Sequence, residues 1–208
     1  MRALFKEIRA GDLDAVTRRL DADPGLVSAV AKAPPKKDDG QSPLQVAIKS
    51  GNFVVAQLLL DRDADVNFME ESAVNEWNAP VLHDSIRSAV FSSRYGRNRA
   101  LPGEPPRIEV MNDLATFDEA VAILRGMIER GADVTATDSY GNSPLLRAAL
   151  DARQVIDEPI LQDLLSDLRQ VFSVLLEAGA DPDRVDPRVH TSLAEHFAGT
   201  TVERFLTR

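Results

Sequence analysis

Apolar residues recur at helical spacing in three segments of the chain, and each segment leads into an aspartate. The apolar positions are Val55, Leu58 and Leu59 before Asp65, then Ile123, Leu124 and Met127 before Asp133, and finally Val171, Val174 and Leu175 before Asp181. Residues three or four apart lie on one face of a helix, so each set predicts an amphipathic helix with one buried face. The aspartates then favour a turn, because their side chains bond to nearby backbone.

A serine followed by a proline predicts the start of a second kind of helix. Ser42 precedes Pro43, and Ser143 precedes Pro144. A serine hydroxyl can accept a hydrogen bond from the first turn of a helix, and proline at the first helical position sacrifices only an N–H that has no partner there. Looser versions of this start are found at Pro80 and at Thr191.

The distances between these features add up to a repeat of 33 residues. Pro43 precedes Asp65 by 22 positions, and Asp133 precedes Pro144 by 11. A period of 33 is that of the ankyrin repeat, and over about residues 39–197 the chain resembles the ankyrin-repeat family. The resemblance implies an all-α solenoid of helix-turn-helix units joined by hairpin loops, whose core becomes continuous only when the units stack.

We expect a single domain over residues 1–208, made of five such units. They are an N-terminal capping unit (1–38), three repeats (39–71, 72–136 and 137–184) and a C-terminal capping unit (185–208). Open arrays need end units with a polar outer face. Leu4, Ile8 and Leu20 would face inward in the first unit, as would Leu193 and Phe197 in the last.

Two of the repeats are longer than the pattern requires, by 30 and by 15 positions. Both excesses fall between the first and second helix, so we expect inserts at about 90–117 and about 152–168 that lie side by side. The first is rich in Gly, Pro and Arg, which predicts a mobile loop. The second carries Ile160, Leu161, Leu164, Leu165 and Leu168 at helical spacing, which predicts a lengthened second helix.

The amino-acid composition limits the classes of protein to which this chain can belong. The chain has no cysteine, which excludes disulfides and thiolate zinc sites. It has no apolar stretch long enough to span a membrane, and its charged N-terminus lacks the apolar core of a signal peptide, so we expect a cytoplasmic protein without a membrane partner. The excess of arginine over lysine suggests a bacterial genome. The net charge of −9 argues against general nucleic-acid binding and favours a basic partner.

Candidate catalytic and cofactor-binding groups are sparse. The three histidines are His83, His190 and His196, and their spacing matches no zinc-hydrolase motif. His83 stands where the ankyrin pattern places its histidine, and the resemblance implies that it bonds to backbone and steadies a hairpin. No Gly-rich phosphate loop is present. The sequence therefore predicts no catalytic residue, no metal site and no cofactor.

The one basic cluster lies in the first insert and consists of Arg94, Tyr95, Arg97, Arg99 and Arg107. Three interpretations remain open at this point. The cluster is a solvated loop, a contact for an acidic surface, or a contact for phosphate or nucleic acid.

The ankyrin resemblance also implies where a partner binds, namely at the hairpin tips and on the exposed side of the first helices. Counting back three positions from each helix start gives a column of Asp39, Trp77, Tyr140 and Arg188. The same concave surface is expected to expose Val46, Lys49, Phe68, Met69, Asp84, Arg87, Arg147 and Asp151. Trp, Tyr and Arg dominate the binding energy of many interfaces. The alternative for Trp77 is that it folds back onto its own hairpin.

These features predict a non-catalytic module that binds another protein, either an inhibitor or immunity-type protein for a toxin or enzyme, or a scaffold or regulatory adaptor. The inhibitor role rests on analogy with stand-alone ankyrin proteins. A second class is an enzyme whose site lies under the paired inserts, where Arg94, Arg97, Glu158 and Asp163 would converge. A third is a nucleic-acid binder that uses the arginine loop.

Overall fold

A computed structural model describes residues 1–186 and 188–207, and most of their regular structure is helical. The helices are α1 (Arg2–Ala10), α2 (Leu13–Ala22), α3 (Pro43–Lys49), α4 (Phe53–Asp61), α5 (Val81–Phe91), α6 (Leu114–Glu129), α7 (Pro144–Val155), α8 (Gln162–Glu177), α9 (Leu193–His196) and α10 (Glu203–Leu206). Short 3-10 turns occupy Pro24–Ser28 and Lys36–Asp38. We number the successive helix pairs α1–α2, α3–α4, α5–α6 and α7–α8 as pairs 1 to 4.

Serine caps start the first helices as the sequence predicts. Ser42 Oγ accepts from the Gln45 amide at 3.2 Å, and the Gln45 side chain accepts from the Ser42 amide at 3.3 Å. Ser143 Oγ accepts from the Leu146 amide at 3.2 Å. The last first-type helix is capped by Ser192, one residue later than the predicted Thr191. Each cap satisfies amide groups that a helix start would otherwise leave unpaired.

The helix pairs pack side by side in chain order. The first helices α1, α3, α5 and α7 contact one another in sequence, and so do the second helices α2, α4, α6 and α8. Their apolar faces form one core in which Leu4, Ile8 and Leu20 are buried at one end. At the other end Phe205 packs on Phe172, with ring centroids 5.2 Å apart. Burial of Leu4, Ile8 and Leu20, and of Leu193 and Phe197 at the other end, agrees with the pattern read from the sequence.

Ion pairs also join the second helices of neighbouring pairs. Arg62, which follows α4, donates to Asp21 of α2 at 2.7 Å. Arg130, which follows α6, donates to Asp61 of α4 at 3.0 Å. In both cases the cation belongs to the later pair and the carboxylate to the earlier one.

The first predicted insert contains a β-hairpin, which corrects the expectation of a purely helical fold with an irregular loop. Strand β1 (Gly96–Asn98) pairs with β2 (Ile108–Val110) in antiparallel register, with Gly96 opposite Val110. A side chain at Gly96 would lie 2.7 Å from Ile108 Cγ2, so glycine permits the close approach of the strands. The connection at 101–107 is exposed.

An arginine holds the base of this hairpin against α8. Arg94 donates to the Asp167 carboxylate from its amide at 2.8 Å, from Nε at 3.1 Å and from Nη2 at 2.7 Å. Its Nη1 also lies 3.2 Å from Asp163. The Asp167 side chain is fully buried. We call this arrangement the Arg94–Asp167 clasp, and it ties the segment after α5 to α8. Helix α8 has 16 residues, whereas the second helix of pair 2, α4, has nine.

Candidate functional site

Trp77 lies in the hairpin loop between α4 and α5, and it contacts the next hairpin loop, between α6 and α7, rather than folding back onto its own. Its indole Nε1 donates to Asp138 Oδ2 in the following hairpin at 2.9 Å. Asp138 also accepts from the Tyr140 amide and from Asn142. Burial alone would raise the Asp138 pKa, but the hydrogen bonds from Asn142 and Trp77 hold it below its usual range. The carboxylate thus fixes the indole while leaving part of the ring open to solvent.

Tyr140 and Arg188 are exposed at the hairpin tips, as the column predicts. The Tyr140 side chain is 51% exposed. Arg188 is exposed and its amide donates to Asp186 at 2.8 Å, in the same way that the Tyr140 amide donates to Asp138 at 2.9 Å. Met69 is also exposed, whereas Phe68 is partly buried against the core.

Asp39 is buried, so the expectation that it is exposed is wrong. Its Oδ1 accepts from the Ala33 amide at 2.8 Å, and its Oδ2 accepts from Ser72 Oγ at 3.0 Å and from the Ala73 amide at 3.1 Å. The Ala33 amide, together with Ser72 and Ala73, holds the Asp39 pKa below its usual range. The longer hairpin around Ser72 covers this position, and Asp39 joins two hairpins instead of facing a partner.

Val46, Asp84 and Asp151 are buried too, which corrects three further positions of the predicted concave surface. Val46 belongs to α3, which α1 and α5 both contact, so its residues up to Ile48 are enclosed. Asp84 accepts from Gln45 Nε2 at 2.9 Å. Neighbouring side chains reach across the helices and cover these positions, a non-local effect that helical spacing does not reveal.

Asp151 lies between two arginines. Arg87 Nη1 donates to it at 3.3 Å, and Arg147 Nε lies 3.1 Å from its other oxygen. The Arg147 side chain is itself only 12% exposed, so it too contributes little to an open surface. Burial raises the pKa of Asp151, and burial raises the pKa of Asp84 to about 6.

Three ion pairs link neighbouring units along the side of the array formed by the first helices, which we call the inner face. Arg9 of α1 pairs with Asp38 in the 3-10 turn before α3, Lys49 with Asp84 at 4.0 Å, and Arg87 with Asp151 at 3.3 Å. We call these the inner ion pairs. The cation side chains are 23–43% exposed, whereas the carboxylates are at most 8% exposed. The inner face therefore presents cations to solvent and keeps their carboxylate partners below the surface.

Two adjoining grooves lie between the hairpin tips and the first helices. The tip groove has a volume of about 580 Å³ and is lined by Lys37, Lys49, Glu70, Asn75, Trp77 and Tyr140. The helix groove has a volume of about 490 Å³ and is lined by Lys49, Phe53, Trp77, Asp84, Arg87 and Phe91. Lys49 and Trp77 belong to both. We call the two together the binding groove.

The arginines of the first insert do not form one basic patch. Arg94 is held in the clasp, Arg97 stacks over the Tyr95 ring at 5.3 Å, and Arg99 donates to Glu109 at 2.6 Å. The Arg107 amide donates to Asn98 within the hairpin. These intramolecular contacts explain the cluster as the framework of a hairpin.

The residues predicted for a site under the inserts lie apart from the binding groove. Arg94 meets Asp163 and Asp167, but neither part of the binding groove is lined by Arg94, Arg97, Glu158 or Asp163. Within residues 1–186 and 188–207, no group of three or more His, Cys, Asp or Glu side chains is placed to hold a metal ion.

His83 has the hairpin-supporting role that its position predicts. The ring is fully buried, and Nε2 donates to the Ala136 carbonyl of the following hairpin at 3.0 Å. Because the carbonyl can only accept, Nε2 carries the proton in the neutral ring. Burial lowers the pKa of His83 to about 4, so this ring stays neutral at physiological pH.

We expect this histidine to make the fold acid-sensitive. Between a pKa of 6.5 in the unfolded chain and about 4 in the folded one, only the unfolded chain binds the proton, so stability falls as the pH falls. At pH 5 the loss amounts to about 2 kcal/mol of unfolding free energy. Urea unfolding at pH 7 and pH 5 should show this extra loss in the wild type and not in His83→Gln. The raised pKa of Asp84 acts equally in both proteins, and identical pH dependence would rule out the buried neutral ring.

Comparison with known families agrees with the helix pairs. The family model described as Ankyrin repeat matches residues 39–70, which contain pair 2 and the start of the following hairpin. No curated protein matches the chain significantly. Throughout the described ranges, no helix combines the length and apolarity needed to cross a membrane. Residues 39–70 are thus similar to the ankyrin-repeat family, and capped helix pairs of the same kind follow them in the chain.

Proposed function

We propose that this protein is a non-catalytic module that binds another protein through the binding groove. Ankyrin repeats generally mediate protein–protein interaction and are typically non-enzymatic. The observation that carries the proposal is the placement of Trp77 where the tip groove and the helix groove meet. Its indole is held by Asp138, so a partner would meet a preordered aromatic anchor, and little side-chain entropy is lost on binding.

The remaining contacts of the proposed interface follow from exposure. Tyr140, Lys49, Arg87, Met69 and Arg188 are open to a partner at least in part. Asp84 and Asp151 support Lys49 and Arg87 through ion pairs, whereas Asp39 and Val46 are buried. We extend the proposal to one continuous array with the unit boundaries predicted from the sequence. Stacking of the first and second helices in chain order supports that arrangement.

Truncating Trp77 is expected to weaken binding without unfolding the protein. Trp77→Ala should raise the Kd for the partner by about 30-fold, since aromatic anchors at interfaces contribute about 2 kcal/mol or more. The Tm should change little, because Asp138 keeps its bonds from Tyr140 and Asn142. Isothermal titration against the partner purified from the source organism measures the effect. Tyr140→Ala should weaken binding in the same direction.

A control for these variants is Val54→Ala, which truncates an exposed apolar side chain on α4, outside the binding groove. We expect its affinity to equal that of the wild type. If Trp77→Ala and Tyr140→Ala also bound as tightly as the wild type, the binding groove would not be the interface.

Protein binding supports two biological roles, inhibition of a toxin or enzyme and scaffolding. We propose inhibition, of the immunity type, as the first role to test. Mixing the purified partner with this protein should then abolish the partner's activity in a one-to-one complex. Full activity of the bound partner would assign scaffolding or regulation instead.

A further inference from the structure

The lysines of this protein are confined to its N-terminal quarter. All of them occur within the first 49 residues, at Lys6, Lys32, Lys36, Lys37 and Lys49, whereas the arginines are spread along the chain. In the folded protein Lys37 and Lys49 line the tip groove. The positions of Lys6, Lys32 and Lys36 therefore decide whether the positive charge of the lysines extends beyond the proposed interface.

A third groove lies at the N-terminal end of the inner face. It has a volume of about 440 Å³ and is lined by Arg2, Phe5, Lys6, Arg9, Lys32 and Pro35, among others. Consecutive residues line the two grooves, Lys37 the tip groove and Asp38 the third. Lys6 and Lys32 thus line the third groove and Lys37 and Lys49 the tip groove, and we call these four residues the lysine strip.

The carboxylates of these grooves offset only part of that charge. Asp38, Glu70 and Asp84 are buried; Asp38 is paired with Arg9, and Asp84 is paired with Lys49. Glu76 is the exposed carboxylate among the lining residues. Across residues 1–186 and 188–207, Lys6, Lys32 and Lys37 form no ion pair. A chain with a net charge of −9 thus presents a locally basic inner face.

We propose that the lysine strip docks an acidic segment of the partner protein. The inference rests on the proposed function and names the chemistry of the partner. The rate at which two proteins meet and the way they align depend on the local electrostatic potential of the facing surfaces. The lysine strip therefore determines the charge of the partner segment more than the net charge does, although the net charge by itself predicts a basic partner. Trp77 and Phe91, both partly exposed in the helix groove, provide contacts for apolar side chains within the acidic segment.

A protein segment fits this strip better than a nucleic acid does. Nucleic-acid binding depends on neutralising closely spaced phosphates over an extended surface. Here the basic region ends at the grooves, and the exposed aspartates of α2 and of the loop after α4, such as Asp14, Asp21 and Asp63, would repel a longer polyanion.

Fluorescence anisotropy of labelled probes with the full chain tests the proposal. The probes are a peptide of alternating acidic and leucine residues, the same peptide with lysine at every acidic position, and a single-stranded DNA of equal negative charge. We expect the acidic peptide to bind, the lysine peptide and the DNA to bind at least about tenfold more weakly, and added salt to weaken the acidic complex. Tighter binding of the lysine peptide or the DNA, or no binding of the acidic peptide, would overturn the proposal.

Charge-matched variants locate the binding. Lys6→Glu/Lys32→Glu/Lys37→Glu should raise the Kd of the acidic peptide by about tenfold or more. Arg18→Glu/Arg125→Glu/Arg169→Glu changes the net charge equally, at exposed positions on the second helices, and should change that Kd by less than about threefold. Equal losses in both variants would refute a specific strip. If the lysine peptide bound instead and Trp77→Ala weakened it, the groove would remain the interface and only its acidic partner would be wrong.

Discussion

Replacing Arg94 with alanine is expected to lower the free energy of unfolding by about 3–5 kcal/mol, the usual cost of leaving one member of a buried ion pair without its partner. Asp167 is fully buried, and two of its three hydrogen bonds from Arg94 come from the guanidinium. After the substitution, only the backbone amide at position 94 still donates to the carboxylate. Urea unfolding followed by circular dichroism measures the loss.

Two further variants separate the buried ion pair from general effects of removing arginine. Arg94→Met/Asp167→Leu removes both charges together and should recover much of the stability, because no unpaired carboxylate remains. Arg99→Ala breaks the exposed pair with Glu109 in the same hairpin and should leave stability nearly unchanged. Equal destabilisation by Arg94→Ala and Arg99→Ala would show that the clasp does not stabilise the fold.

Gly40→Ala is the second substitution with a large expected effect, about 2–5 kcal/mol of unfolding free energy. Gly40 has a φ of +78°, where an L side chain is strained. A Cβ there would also overlap the backbone of Glu71 and Ser72, since the Glu71 amide donates to the Gly40 carbonyl at 3.0 Å. Either the backbone strains or the two hairpins separate. Thermal and urea unfolding of the variant report the combined cost.

A matched glycine separates the two causes. Gly141 precedes Ser143 as Gly40 precedes Ser42, and its φ is +82°, but a Cβ there would have no neighbour within 4 Å. Gly141→Ala therefore carries only the conformational cost, about 1–2 kcal/mol. The difference between the variants measures the close approach of the hairpins at Gly40. Equal destabilisation would show that this approach relaxes freely.

The parts of the fold that depend on local chemistry could be predicted from the sequence. Ser42 and Ser143 cap helices because the rule involves residues only three positions apart. Helical spacing also identified buried end residues such as Leu4 and Phe197. The β-hairpin was missed, because three-residue strands between Gly, Pro and Arg carry almost no periodic signal.

The candidate site was predicted less well, since its residues are placed by contacts between pairs. Counting back three positions from each helix start identified Trp77 and Tyr140, but it also selected Asp39. That residue is enclosed by a hairpin loop more than 30 residues later in the chain. Asp84 and Asp151 look exposed on a single helix and become buried only when Gln45 and Arg87 reach over from the preceding one. The clustering of the lysines is visible in the sequence, but only the structure shows that they lie on the inner face.

The ion pairs between neighbouring helix pairs have a consistent polarity, which gives the array a chemical direction. On the inner face the cation always lies earlier in the chain than its carboxylate, as in Lys49–Asp84. Between the second helices the order is reversed, as in Asp61–Arg130. Inverting pair 2 would place Lys49 against Arg9 on the inner face and Asp61 against Asp21 among the second helices, whereas exchanging two internal pairs would keep unlike charges together on the inner face. Each internal helix pair is therefore held in one orientation relative to its neighbours, and the array is electrostatically polar from its first pair to its last.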